Sequence, residues 1–148
     1  MAATVISIVN LVPIIKEKLS SGGEVTIKVK GTSMRPFLLS DMTDVHLVRY
    51  AGILNRYDIV LYELPNQTFV LHRYIKSKDD EFVICGDALS KPEIIKKEQI
   101  VAIVTAFSEK GKKTSATDKN YLKKVRLWVF LKPLRPTLLR ISKLLWRR

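Results

Sequence analysis

The decisive stretch of this chain is Gly31-Thr32-Ser33-Met34-Arg35-Pro36, which directly follows a strand-like run at 24–30. A glycine marks a turn on one side of Ser33, and a proline fixes the backbone on the other side. A nucleophilic serine needs such a setting, because its hydroxyl must be exposed and free backbone N–H groups must lie nearby to hold an oxyanion. The same hexapeptide also suits an ordinary β-turn, so other parts of the chain must indicate whether Ser33 is a nucleophile or only a turn residue.

Two further segments carry residues that could act with Ser33. His72 lies inside a strand-like run at 68–75, and Asp87 closes another run that begins at Glu81. Residues near the ends of neighbouring strands in one small sheet can converge on one point. Ser33, His72 and Asp87 therefore form a candidate triad, with Ser33 as nucleophile and His72 as general base. Asp87 would orient the imidazole or structure the turn that does so.

Alternating and apolar runs predict a mainly β fold. The candidate strands lie at 24–30, 44–50, 58–63, 68–76, 81–86 and 98–107. Pro65-Asn66 marks one turn between strands, and a charged hairpin tip at 78–80 marks the next. Six short strands at this spacing favour a small antiparallel, partly closed β-barrel over a βαβ array.

Four segments, at 31–38, 57–62, 71–74 and 86–88, resemble the ordered boxes of the type I signal peptidase and SOS-repressor self-cleavage superfamily. The resemblance covers residues 24–107 and implies a barrel of that type in which Ser33 attacks a peptide carbonyl. Bacterial signal peptidases and repressors use a lysine base. The chain has His72 followed by Arg73 and therefore resembles the histidine type of archaea and the endoplasmic reticulum, whose Gly-Asp box matches Asp87.

Two departures from the family pattern affect the expected site. Bacterial signal peptidases often place an oxyanion-donating serine where this chain has Gly31, so the backbone N–H groups of Ser33 and Thr32 would form the oxyanion hole. Histidine-type enzymes carry further aspartates after the Gly-Asp box, and here only Glu93 could take their place. A third departure is the expected lack of the membrane anchor that signal peptidases normally have.

The resemblance implies a serine endopeptidase that cuts after a small residue and removes a leader or signal segment from a precursor peptide or preprotein. A non-catalytic peptide-binding module of the same fold is the alternative. A repressor fragment linked to DNA binding is disfavoured, because no helix-turn-helix precedes the barrel. We expect no cofactor or metal, since the one cysteine, Cys85, belongs to no Cys/His cluster with zinc spacing.

Residues outside the barrel define three more segments. Residues 1–22 predict an amphipathic helix, 23–107 the catalytic domain, 108–117 a linker, and 118–148 a basic helical tail capped by Asp118. The first 15 residues lack the basic start of a secretory signal, and no run of about 18 apolar residues predicts a transmembrane helix. We therefore expect a cytoplasmic or peripheral membrane protein.

Charge is unevenly distributed along the chain. The net charge is +12, and residues 119–148 hold ten Lys and Arg but no acid, which leaves +2 on residues 1–118. The tail mixes these cations with Trp, Phe and Leu, a combination typical of segments that bind anionic membrane surfaces. Packing on the barrel or self-association is the alternative. Nucleic acid is disfavoured because the tail lacks RNA-binding motifs, and the oligomeric state is left open.

One other histidine could act as a base. His46 lies in an alternating strand at 43–49, where a structural role is the expected one. Two lysines, Lys76 and Lys78, are alternative bases that we expect to be solvated hairpin charges. His46 remains the rival base if His72 fails.

Overall fold

A computed structural model describes the backbone of residues 2–146 and the side chains from residue 11 to residue 142. Over this part of the chain the regular elements are three α-helices, eight β-strands and two short 3₁₀ turns. The helices are α1 (Ala2–Ser20), α2 (Lys119–Phe130) and α3 (Arg135–Trp146). The strands are β1 (Val25–Lys28), β2 (Thr43–Arg49), β3 (Ile59–Glu63), β4 (Phe69–Lys78), β5 (Glu81–Cys85), β6 (Glu93–Lys96), β7 (Ile100–Glu109) and β8 (Lys112–Ser115). The 3₁₀ turns are Lys97–Gln99 and Lys132–Leu134.

The strands form one antiparallel sheet that curves into a half-barrel. Its order is β1-β2-β7-β3-β4-β5-β6, with β8 paired to β7. The mainly β class, the N-terminal helix and the C-terminal helices are as the sequence predicts. All six predicted strands form, but β6 and β8 were not predicted. Both are four-residue strands with mostly exposed side chains, so they carry little hydrophobic pattern and depend on pairing with β5 and β7.

Apolar side chains cover both faces of the central strand β3. Ile59 and Leu61 belong to one buried cluster, which α1 covers, whereas Val60 and Tyr62 belong to a second cluster on the opposite face. Successive side chains of a strand point to opposite faces, so a strand buried on both sides needs an unbroken apolar run. This arrangement holds β3 and its neighbour β4 at the centre of the sheet.

Helix α1 covers the first cluster through Ile15 and Leu19, and its Val12 is also buried. These are three of the six apolar positions on which the sequence predicts an amphipathic helix. The other three, Val5, Ile6 and Val9, lie outside the described side chains. Pro13 sits within α1 without ending it. Among the described residues, no helix is long and apolar enough to cross a bilayer.

The expected linker at 108–117 is instead part of the sheet. Strand β7 continues to Glu109, and β8 returns along it after a turn at Lys110 and Gly111, which have φ values of 50° and 80°. An edge strand can expose its side chains to solvent, so a polar composition does not prevent pairing. The sheet therefore continues to Ser115, beyond the predicted domain boundary.

The tail begins as predicted and then packs on the sheet. The Asp118 carboxylate accepts a hydrogen bond from the N–H of Tyr121 at 2.8 Å and caps α2. Tyr121 and Val125 are buried, and the Tyr121 ring contacts the rings of Phe37 and Phe107. The inner side of α2 thus packs on the barrel, which is one of the alternatives that the sequence left open for the tail.

Candidate active site

Ser33 lies in the loop between β1 and β2 and is partly buried. Two buried apolar side chains, Met34 and Leu38, anchor the loop in the first core cluster, and the N–H of Leu38 donates to the carbonyl of Met34. Gly31 has a φ of +85°, a left-handed conformation that side chains disfavour. The glycine and the two anchors thus hold Ser33 on a tight, well-defined turn.

Backbone N–H groups beside Ser33 are available for an oxyanion. Those of Thr32 and Ser33 donate no hydrogen bond to any described residue, whereas that of Arg35 closes a turn onto the Thr32 carbonyl. Thr32 is exposed and Ser33 half-buried, so their N–H groups are free to donate to an acceptor outside the protein, either water or a ligand. A developing oxyanion next to Ser33 could be that acceptor, which fits the oxyanion hole expected from the sequence.

The turn after β5 fixes the position of the Ser33 loop. The N–H of Ala88 donates to the carbonyl oxygen of Ser33 at 2.8 Å, and a Cβ atom on Gly86 would lie 2.8 Å from that same oxygen. Glycine is needed here for space. Arg73 of β4 pairs with Cys85, the last residue of β5, so the chain leaves the sheet level with His72. This register places the start of the Asp87 turn, which binds the Ser33 loop, level with His72 along β4.

His72 belongs to a hydrogen-bonded chain of three side chains. Its Nδ1 lies 3.0 Å from the hydroxyl oxygen of Tyr62, and that hydroxyl donates to Oε2 of Glu93 at 2.6 Å. The phenol has one proton, which the carboxylate takes, so Tyr62 must accept its second hydrogen bond from Nδ1–H of His72. The imidazole therefore carries its proton on Nδ1, and Nε2 is a proton acceptor.

The surroundings keep His72 uncharged. Burial lowers the pKa of His72, and the negative charges of Glu93 and Asp87 oppose this effect only in part. Burial and the hydrogen bond to Glu93 raise the pKa of Tyr62, so its hydroxyl keeps the proton. Neutral imidazole and protonated phenol are the states that a general base and its orienting partner require near neutral pH.

Asp87 forms no hydrogen bond with His72 among the described residues; it binds Arg73 instead. Its two carboxylate oxygens accept from Nε and Nη2 of Arg73 at 2.8 and 2.7 Å, and both side chains are buried. Burial, the largest single effect, lowers the pKa of Arg73, but Asp87 and Tyr121 together outweigh burial and raise the pKa. The planar guanidinium matches a carboxylate at two points, which an imidazole cannot do. This pairing corrects the expectation that Asp87 orients the imidazole and favours its turn-structuring role.

Side chains of α2 and of the first residue of α3 bind the turn that contains Asp87. The indole N–H of Trp128 donates to the Asp87 carbonyl at 2.7 Å, and the buried Arg135 donates to the Leu89 carbonyl at 2.8 Å. The Tyr121 hydroxyl accepts from Arg73 at 2.9 Å. Sequence reasoning did not assign these contacts, because the basic tail offers no local signal of which side chains face the barrel.

A cleft of about 130 Å³ opens beside Ser33 between β1 and β4. β1 is an edge strand, and the first part of β4, before Arg73, pairs only with β3. Phe69, Val70 and Leu71 line the cleft, so it extends along the free edge of β4 that precedes His72. Two unpaired strand edges facing one cleft can accept an extended peptide.

A second serine–histidine–carboxylate set lies elsewhere on the sheet. Nε2 of His46 is 2.9 Å from Oγ of Ser108, and its Nδ1 is 3.2 Å from Oε1 of Glu24. Ser108 lies in β7 between two paired strands, so its backbone belongs to the sheet ladder and no turn offers an oxyanion hole. This supports the structural role expected of His46. The lysine alternatives Lys76 and Lys78 are exposed.

Comparison of the chain with models of known protein families, with curated proteins and with solved structures finds no match. The site is therefore interpreted from its own geometry. The structure joins the Ser33 loop to the Asp87 turn and places His72 level with them. No hydrogen bond joins Ser33 Oγ to His72 among the described residues. The sequence places Tyr62 in the 57–62 box and offers Glu93 as a substitute for the missing aspartates, but no local pattern links either residue to His72.

Proposed function

We propose that this chain is a serine endopeptidase, similar to the histidine type of signal peptidase, that removes a leader or signal segment from a precursor peptide. The observation that carries the proposal is the hydrogen-bonded chain from His72 through Tyr62 to Glu93. It leaves Nε2 of His72 as an uncharged proton acceptor, and the turn level with His72 binds the loop that carries Ser33. Nδ1–H of His72 thus has its acceptor, whereas Nε2 forms no hydrogen bond with a described residue.

In the proposed reaction, Oγ of Ser33 attacks the carbonyl carbon of the scissile peptide while Nε2 of His72 takes the hydroxyl proton. The N–H groups of Thr32 and Ser33 donate to the oxyanion. The imidazolium then gives its proton to the leaving amine, and a water molecule hydrolyses the acyl-enzyme by the same route. Tyr62 and Glu93 stabilise the imidazolium through Nδ1–H. Asp87 and Arg73 hold the turn that positions Ser33.

The cleft indicates the class of substrate. Its walls include Ile27, Val29, Leu61 and Leu71, which are apolar, and a volume of about 130 Å³ suits a small apolar side chain. The main chain of an extended segment would pair with the free edges of β1 and β4. We therefore propose that the substrate is an extended peptide with a small apolar residue before the scissile bond.

Labelling with a fluorophosphonate probe tests the proposed nucleophile. We expect the wild-type protein to be modified at Ser33 and Ser33→Ala to be unmodified. Ser108→Ala is a matched control, because Ser108 also contacts a histidine but has no oxyanion hole. Labelling that persists in Ser33→Ala and disappears in Ser108→Ala would assign the activity to the second set and contradict the proposal.

Tyr62→Phe tests the orienting chain. Removing the hydroxyl leaves Nδ1–H of His72 without its acceptor, so we expect kcat to fall about 100-fold with little change in KM. Tyr50→Phe is the control, because no hydrogen bond of its hydroxyl to a described residue is seen. Thermal unfolding of both variants separates catalysis from stability. Full activity of Tyr62→Phe would contradict the proposed role.

The lowered pKa of His72 predicts the acid limb of the pH profile. The imidazolium cannot accept the serine proton, so activity is lost as pH falls through a pKa below the usual value of about 6.5. Stability falls over the same range, because the unfolded chain protonates this histidine first. We expect kcat/KM of the wild type and of His46→Ala to rise with a midpoint below about pH 6.5. A midpoint above about pH 8.5 would indicate a lysine base.

A non-catalytic peptide-binding module is the second candidate, and the cleft between two free strand edges favours it specifically. Such a module would bind extended apolar peptides and leave them intact. Binding to Ser33→Ala, measured by fluorescence anisotropy, is expected under both functions. Turnover of the same peptide by the wild type is expected only of the peptidase.

A further inference from the structure

Helix α2 presents two apolar sides, of which only one packs on the barrel. The inner side carries Tyr121, Val125 and Trp128, which contact the sheet and the Asp87 turn. The outer side carries Leu127 and Phe130, whose residues are 59% and 82% exposed. Packing within the described chain therefore does not explain the outer side.

Exposed apolar residues also occur beyond α2, and exposed cations accompany them along both helices. Leu134 and Ile141 are also exposed, at 54% and 49%. Among the side chains that the structure describes, the exposed cations on these helices are Lys119, Lys123, Lys124, Arg126 and Arg140. Because residues 119–148 contain no acid, no carboxylate of the tail neutralises them. We call this surface, formed by the outward side chains of α2 and α3, the basic apolar face.

A cavity of about 440 Å³ lies at the edge of this face, where α2 meets the loop between β2 and β3. It is lined by Arg56, Tyr57, Leu122, Arg126, Val129 and Phe130. Neither arginine forms a salt bridge with a described residue. The cavity thus combines two guanidinium groups with apolar walls, which matches a phosphate ester attached to a hydrocarbon chain.

We propose that the basic apolar face docks on an anionic phospholipid membrane, with Arg56 and Arg126 binding a headgroup phosphate. Guanidinium groups match phosphate oxygens in planar, two-point contacts. Phe130 and Leu127 would enter the boundary between headgroups and acyl chains, as the apolar side of an interfacial helix does. The proposal is independent of catalysis at Ser33.

Charge and shape favour this occupant over two others. A second copy of the chain would bring together two tails that each carry ten cations and no acid, and like charges repel. A nucleic acid would satisfy the cations but would leave Phe130 and its apolar neighbours in water. A bilayer with anionic headgroups satisfies both. Since α2 also binds the Asp87 turn, docking would hold the Ser33 cleft close to the membrane surface.

Co-sedimentation of the full chain with vesicles tests the proposal. We expect binding to vesicles that contain phosphatidylglycerol and little binding to pure phosphatidylcholine. Losing two cations near an anionic surface should weaken binding of the double variant Arg56→Gln/Arg126→Gln by about thirtyfold. Phe130→Ser should also weaken it, with the same thermal stability as the wild type, because Phe130 makes no buried contact that the fold requires.

The matched charge control is Lys112→Gln/Lys113→Gln. Both lysines lie on β8, beside the Thr43 end of β2, whereas the Arg56 loop begins after the Arg49 end. We expect this variant to bind within about threefold of the wild type. Ile94→Ser, on edge strand β6, is the control for Phe130→Ser.

Several outcomes would overturn the proposal. Equal weakening by the two arginine changes and the two lysine changes would show only a general charge effect. Equal binding to neutral vesicles would exclude recognition of anionic headgroups. Displacement from vesicles by inorganic phosphate alone would indicate a site for soluble phosphate. Tighter binding to a duplex oligonucleotide than to anionic vesicles, or a dimer that Phe130→Ser dissociates, would assign the face to nucleic acid or to a second copy.

Discussion

Ser33→Ala is expected to reduce kcat for peptide hydrolysis by about 10⁴-fold or more, with a change in the free energy of unfolding below about 0.5 kcal/mol. The two effects separate because Ser33 contributes to the fold through its backbone. Its carbonyl accepts from Ala88, whereas its hydroxyl forms no hydrogen bond with a described residue. Alanine keeps the backbone contact and removes only the proposed nucleophile.

The measurement is steady-state cleavage of an extended peptide with a small residue before the scissile bond, together with urea unfolding of the same preparations. Ser108→Ala should keep wild-type turnover, although its hydroxyl lies 2.9 Å from a histidine nitrogen. Native-like turnover by Ser33→Ala would end the peptidase proposal. Loss of turnover together with unfolding would show that Ser33 is structural.

Asp87→Asn is expected to lower the free energy of unfolding by about 3–5 kcal/mol, the largest effect on stability among the changes considered. The substitution leaves the guanidinium of Arg73 buried without its carboxylate partner. Both groups are almost fully buried, so solvent cannot replace the missing charge. The change also loosens the turn whose Ala88 N–H holds Ser33, so activity should fall with stability.

Urea unfolding of Asp87→Asn and of Asp80→Asn measures the effect. Asp80 lies in an exposed turn, so its substitution should change stability by less than about 0.5 kcal/mol. Replacing both partners, as in Arg73→Met/Asp87→Leu, should recover part of the loss because no buried charge remains. If Asp87→Asn left stability unchanged but altered the pH profile, Asp87 would act on the imidazole, as the sequence first suggested.

Local patterns in the sequence were sufficient to predict several features of the fold and of the Ser33 loop. Alternation and apolar runs located six strands, and the acid at position 118 located the start of α2. Gly31 and Pro36 marked the loop that carries Ser33. Each of these signals depends on residues within a few positions of one another, since strand alternation, turn conformation and helix capping are local properties.

Only the tertiary structure decided which side chains meet. Asp87 binds Arg73 and not His72. Arg73 and His72 are consecutive residues of β4, so their side chains project from opposite sides of the strand, and only the guanidinium faces the turn. Tyr62 joins His72 to Glu93 across three strands, which depends on the register between β3 and β4 and on a strand, β6, that local pattern did not reveal.

In the tail, too, only the tertiary structure decided which side chains make contacts. Its composition determined that α2 would be basic and amphipathic, but Trp128 proved to bind the Asp87 carbonyl while Phe130 remained exposed. A helix with apolar residues on two sides can place either side inward, and helical periodicity alone cannot discriminate between them. Contacts with the barrel decide which side of α2 faces inward. The Asp87 carbonyl accepts a hydrogen bond from the indole N–H of Trp128, and the rings of Phe37 and Phe107 pack against Tyr121.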